Sequence, residues 1–121
     1  MKLPGRVVAL TPLAENMPSG NASKPGDVVI ARNGKSIQID NTDAEGRLLL
    51  CDTLDYASEV FKPKAMIDSA TLTGAMVIAL GSGTTGVFCK DQALWELIEK
   101  SGYQTGDRAW RMPHYKHYYG A

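Results

Sequence analysis

A chain of 121 residues, 44% of them hydrophobic, fits one domain with a packed core. Its 13 lysines and arginines balance 13 aspartates and glutamates, which leaves no electrostatic footprint for nucleic acid or an anionic membrane. No basic-plus-apolar leader opens the chain, and no apolar run approaches the ~18 residues of a membrane span.

Met1-Lys2-Leu3-Pro4 leads directly into an apolar, strand-like run, Val7-Val8-Ala9-Leu10. Residues 18–25 are polar and turn-rich and read as a surface loop. Val28-Val29-Ile30-Ala31, Asn33-Gly34 and Ser36-Ile37-Gln38-Ile39-Asp40 then read as a hairpin. Asn-Gly accepts the positive φ values that a tight hairpin turn needs, and Ile37 and Ile39 alternate with polar neighbours. The period changes after the hairpin: Leu48, Leu49, Cys51, Asp52, Leu54, Tyr56, Ala57 and Val60 predict an amphipathic helix that stops before Pro63. Ala65-Met66-Ile67 reads as a buried strand, followed by a small-residue turn over residues 69–74. A short apolar helix over 75–80, a short strand at Gly86-Val87-Phe88 and a surface helix over 91–100 follow. Alternation of strand and helix predicts the α/β class, with helices packed on a sheet. Cys51 and Cys89 form no C-x-x-C pair; they read as apolar fillers of a protein in a reducing, cytoplasmic compartment.

The richest segment is Asn41-Thr42-Asp43-Ala44-Glu45-Gly46-Arg47-Leu48. Thr42 followed by Glu45 ahead of an apolar run is a capping box, so the acids can simply start a helix. A chemical reading is compatible with that one. Asp43 and Glu45 are two hard oxygen donors in one short turn, as a divalent ion requires. Arg47 adds a planar cation able to hold a carboxylate, bicarbonate or phosphate beside them. Gly46 lets backbone or ligand approach closely. The turn also lies at a strand-to-helix junction, where α/β proteins commonly build sites.

This octet resembles the signature of the leucyl aminopeptidases of the M17 family. Four further stretches resemble that family in the same order: Glu15-Asn16-Met17-Pro18-Ser19-Gly20, Lys24-Pro25-Gly26-Asp27-Val28, Ala70-Thr71-Leu72-Thr73-Gly74-Ala75, and Gly106-Asp107-Arg108 with Trp110-Arg111-Met112-Pro113. The resemblance implies a mixed β-sheet flanked by helices in a three-layer α/β/α arrangement, with residues 1–121 forming part of a larger catalytic domain. It implies two divalent metal ions (zinc, manganese or magnesium) with Asp43 and Glu45 among their ligands, the glutamate bridging. It implies bicarbonate held by Arg47 as the catalytic proton-moving group, and substrate bound by Thr71, Leu72 and Gly74. The substrates are peptides with a free N-terminus, and the intact family protein is a homo-oligomer, a hexamer. The family's upstream lysine and further aspartates have no counterpart here, since Lys2 and Lys24 lack the matching context. The chain therefore reads as a fragment, inactive by itself. The rival reading is a catalytically incomplete or non-catalytic assembly module.

Gly81-Ser82-Gly83-Thr84-Thr85-Gly86 satisfies G-x-G-x-x-G, but a strand rather than a helix is expected after it, which argues against a dinucleotide site. His114 and His117 are too few for zinc and read as surface or partner-facing. Trp95 and Trp110 read as core or rim.

Overall fold

The computed structural model describes residues 4–119; Met1-Lys2-Leu3 and Gly120-Ala121 lie outside the described residues. The chain divides into two compact units, Met1–Leu72 and Thr73–Ala121. Each has its own small centre. The hydrophobic side chains buried among the described residues are Ile39, 3% exposed, in the first unit and Trp95, 8% exposed, in the second. Units this small remove only a modest share of their surface from water. No helix of the described residues is long and apolar enough to cross a membrane.

The first unit opens with the expected hairpin. Strand β1 (Val28–Ile30) pairs antiparallel with β2 (Ser36–Gln38), with Val29 opposite Ile37. Its turn uses one of the positive φ values that Asn-Gly offers, not both. Gly34 alone takes positive φ (+82°), and its N–H donates to the Ala31 carbonyl at 2.8 Å, while Ala31 N–H donates to the Lys35 carbonyl at 2.8 Å. This is a loop closed by one left-handed glycine. Asn33 stays at negative φ because its side-chain oxygen accepts from Lys35 N–H at 3.1 Å, an Asx-type bond. Pairing continues past the strands: Ile39 N–H donates to Asp27 at 2.8 Å, and Gly26 N–H to Ile39 at 2.7 Å.

After a 3-10 turn over Thr42–Ala44, helix α1 runs Gly46–Phe61, starting two residues before the apolar period. It ends where Lys62 adopts a left-handed conformation and donates its N–H to Ser58, one residue before Pro63. The strands expected at residues 7–10 and 65–67 do not form: Val7 is 76% exposed and Ile67 67%, and neither run joins a ladder. A strand exists by pairing, and among the described residues neither run has a partner.

The second unit comprises α2 (Gly74–Leu80), β3 (Thr85–Val87), α3 (Gln92–Thr105) and β4 (Ala109–Arg111). β3 and β4 are parallel, Gly86 opposite Trp110, with α3 as the crossover. Asp91 caps α3 by accepting from Leu94 N–H at 2.9 Å, and left-handed Gly106 closes it. Arg111 steadies the unit: its Nε and Nη2 donate to the Cys89 carbonyl at 3.0 and 2.8 Å, and its guanidinium lies 5.9 Å from the Trp95 ring centroid. The α/β class expected from the alternation is present, as helices with two separate two-stranded sheets.

Candidate metal-binding turn

The turn that carries Asp43, Glu45 and Arg47 begins two residues after buried Ile39, so its origin is anchored by both the ladder and the core. Asn41 is extended (φ −134°, ψ 113°), and its side-chain oxygen accepts from Asp43 N–H at 2.9 Å. Ala44 N–H closes the 3-10 turn on the Asn41 carbonyl at 3.2 Å. Glu45 then enters helical geometry (φ −67°, ψ −36°), and its carbonyl accepts from Leu48 N–H at 2.9 Å. The capping box expected from Thr42 and Glu45 is absent. Asn41 caps the 3-10 turn, and Glu45, itself the N-cap of α1, makes no side-chain capping bond. The inserted 3-10 turn places the N-cap of α1 at Glu45, three residues beyond Thr42, which takes Thr42 out of capping register.

That change matters chemically. Asp43, Glu45 and Arg47 are all exposed, and no hydrogen bond or ion pair ties their side chains to other described residues. The turn therefore presents two uncommitted carboxylates followed by an uncommitted guanidinium at the second helical position. No third His, Cys, Asp or Glu among the described residues completes a metal-holding group with the two acids.

Of the expected substrate residues, Leu72 approaches this turn. A β-carbon placed on Gly46 would lie 3.1 Å from Leu72 Cδ1, so the side chain rests against the start of α1. Thr71 is exposed in the same segment, which forms no helix or ladder. Gly74 opens α2 in the second unit, where the Thr73 hydroxyl caps by accepting from Ala75 N–H at 3.3 Å. Two surface hollows lie elsewhere, one bounded by Arg32, Asn33, Asp55 and Glu59, the other by Thr84, Glu99, Tyr103 and Arg108.

Sequence reading missed the polar clasp at the hairpin tip. Arg32 N–H donates to Asp52 at 2.9 Å, its guanidinium pairs with Asp55 and Glu59, and its charge lies 5.4 Å from the Tyr56 ring centroid. Donating hydrogen bonds to the Asp55 and Glu59 carboxylates raises the already high Arg32 pKa, so the clasp stays charged. The available signal was the acidic spacing 52, 55, 59, which puts three carboxylates along one helical face.

The remaining sequence features fall outside the turn. Burial, reinforced by the neighbouring Asp52 charge, pushes the Cys51 thiol up, and its Sγ donates to the Leu48 carbonyl at 3.0 Å; this suits a filler rather than a nucleophile. The glycine motif runs from the Gly81 cap of α2 into β3, from helix to strand, the reverse of a dinucleotide site. His114 is half-buried edge-on to Phe88, whereas His117 is exposed in a 3-10 turn beside Tyr118.

Comparison with known proteins accounts for the chain from end to end. The family described as "Cytosol aminopeptidase family, catalytic domain" (M17 peptidases) matches residues 1–121. Cytosol aminopeptidase of Bos taurus is 62% identical over 118 residues, covering 98% of this chain and 22% of the relative. The Homo sapiens protein of the same name is 58% identical with the same coverage. A solved structure of a tomato leucine aminopeptidase mutant superposes with a TM-score of 0.82 at 44% identity, covering 86% of this chain and 20% of that one. The chain thus spans about a fifth of the length of the relatives it matches. Its hairpin, carboxylate turn and helix lie wholly within the matched residues, and the chain belongs to the cytosol aminopeptidase (M17) family.

Proposed function

We propose that this chain is part of a cytosolic, metal-dependent leucyl aminopeptidase, which hydrolyses the first peptide bond of substrates bearing a free N-terminus and a leucine-like first residue. The observation that carries this reading is a turn with two uncommitted carboxylates in a chain matched throughout to that family's catalytic domain. The donors suit two divalent ions, zinc, manganese or magnesium: carboxylate oxygens are hard ligands, and Asp43 and Glu45 need break no existing bond to coordinate. Such ions, when bound, supply Lewis acidity at the scissile carbonyl and a more acidic water.

The chain's own residues act around that chemistry. Asp43 and Glu45 hold positive charge at the carboxyl side of the hairpin. Arg47, permanently charged and planar, would hold bicarbonate, which would supply a proton-accepting group there. Leu72 offers an apolar wall to the substrate's first side chain, and the Thr71 and Gly74 backbones offer hydrogen bonds. The remaining ligands come from outside these residues, and the intact protein is a homo-oligomer, a hexamer.

One observation favours a second reading for the chain alone. Among the described residues, fewer than three metal-ligating side chains cluster anywhere, which makes the isolated chain catalytically incomplete, or a non-catalytic assembly module. The test assays the full-length protein and its Glu45→Ala variant on a leucyl chromogenic amide while manganese or zinc is titrated. Metal-dependent turnover is expected, falling by roughly 100-fold or more in Glu45→Ala, beyond the 10–100-fold typical of losing a ligand's supporting partner. Full activity in Glu45→Ala overturns the assignment.

A further inference from the structure

We propose that Gly46 is a positioning residue for substrate selection: its missing β-carbon seats the Leu72 side chain against α1 and so determines which first side chains the site accepts. The inference rests on the aminopeptidase reading above and deepens it.

Gly46 is the first residue of α1, yet its backbone does not call for glycine. The glycines with positive φ are Gly26, Gly34, Gly81 and Gly106, and Gly46 is not among them. In a helical conformation open to any residue, intrinsic propensity favours alanine. What glycine permits here is proximity. A β-carbon at this position meets one atom within 4 Å, Leu72 Cδ1, at 3.1 Å. Carbon pairs ordinarily settle about 3.5–4.0 Å apart. The methyl group of alanine therefore displaces Leu72 by a few tenths of an ångström and disturbs nothing else nearby.

Leu72 is free to transmit that displacement. It is 43% exposed, and the segment before it forms no helix or ladder, so packing against Gly46 determines where its side chain sits. Its Cδ1 faces Gly46 at the start of α1, and much of the rest of the residue is open to solvent. A wall that shifts this far is felt by a side chain long enough to reach it and ignored by a shorter one. Because such a wall meets ground and transition states alike, its movement alters KM rather than kcat.

The experiment compares Gly46→Ala, Leu72→Ala and the double variant in the full-length protein, on leucyl and alanyl amides. Gly46→Ala is expected to raise KM for the leucyl amide about three- to tenfold, within the range one methylene contributes to a hydrophobic pocket, with a smaller rise for the alanyl amide. With Leu72 already truncated the methyl group meets open space, so the double variant should match Leu72→Ala on both substrates. Equal losses on the two amides, a fall confined to kcat, unchanged kinetics, or additive losses in the double variant overturn the proposal. If Gly46→Ala does not accumulate as folded protein, Leu72→Ala and the double variant decide alone, and any further loss in the double variant overturns it. Glu45→Ala, run in parallel, separates the two levels. If it stays active, the reading of the site has failed; if it is inactive while Gly46→Ala is unaffected, only this inference has failed.

Discussion

In the first unit Ile39, the one hydrophobic side chain buried there among the described residues, sits at the end of a hairpin ladder, and Arg32 at the other end grips Asp52, Asp55 and Glu59 on α1. The second unit buries Trp95 in a βαβ crossover and closes it by backbone approach: a β-carbon on Gly102 would fall 2.5 Å from the Asp107 carbonyl oxygen. One unit relies on an exposed ionic clasp, the other on close steric fit. Exposed ion pairs are weak and screened by salt, whereas close packing is unforgiving of added volume. The carboxylate turn lies in the clasped unit, between Ile39 and α1. The comparison teaches that one apolar anchor and remote polar contacts can hold a turn whose own charged side chains form no bond to other described residues.

The largest expected effect concerns activity. The isolated 121-residue chain should show no turnover of a leucyl amide at any manganese or zinc concentration, because groups that act as a unit lose far more than proportionally when some are missing. Robust turnover by the purified chain would remove the need for ligands from elsewhere. Next, Ile39→Ala should destabilise by about 2–5 kcal/mol in urea denaturation of the full-length protein, as large-to-small core changes do. A loss below about 1 kcal/mol, within the range of an exposed surface substitution, would mean that Ile39 is no anchor. Gly102→Ala should destabilise by about 1–3 kcal/mol, since the obstructing atom is backbone and cannot swing aside. A neutral result there would erase the steric half of the contrast. The smallest effect is that of Arg32→Ala, a slight lowering of Tm at low salt. It should vanish near about 1 M salt, where screening acts within about 3 Å. A salt-independent loss of the size seen for Ile39→Ala would reclassify the clasp as core.

Local patterns made much of this legible. Two-residue alternation around Asn33-Gly34 marks the hairpin, and the 3.6-residue period ending before Pro63 marks α1, because both are dictated within a few residues. The carboxylate turn was legible as a string, and its family with it. Strand β4 was not: Ala109-Trp110-Arg111 carries no pattern of its own and becomes a strand only by pairing with residues 85–87 across a helix. The converse holds at residues 7–10 and 65–67, whose β-prone composition has no partner among the described residues to pair with.

By itself, the sequence determined the hairpin and the helices after it, the order of hairpin, turn and helix, the positions of Asp43, Glu45 and Arg47 at a strand–helix junction, and membership of the family. Tertiary structure decided what those residues are free to do. Thr42 and Glu45 read as a capping box, yet the inserted 3-10 turn hands capping to Asn41 and leaves the acids uncommitted. Leu72 reads as one residue of a small turn, yet it folds back 26 positions to rest on Gly46. The division into two units likewise emerges only in three dimensions. The reason is common to all three. Period and propensity act between near neighbours, whereas which hydrogen bond wins, which side chain meets a glycine and where a core ends depend on segments that only the fold brings together.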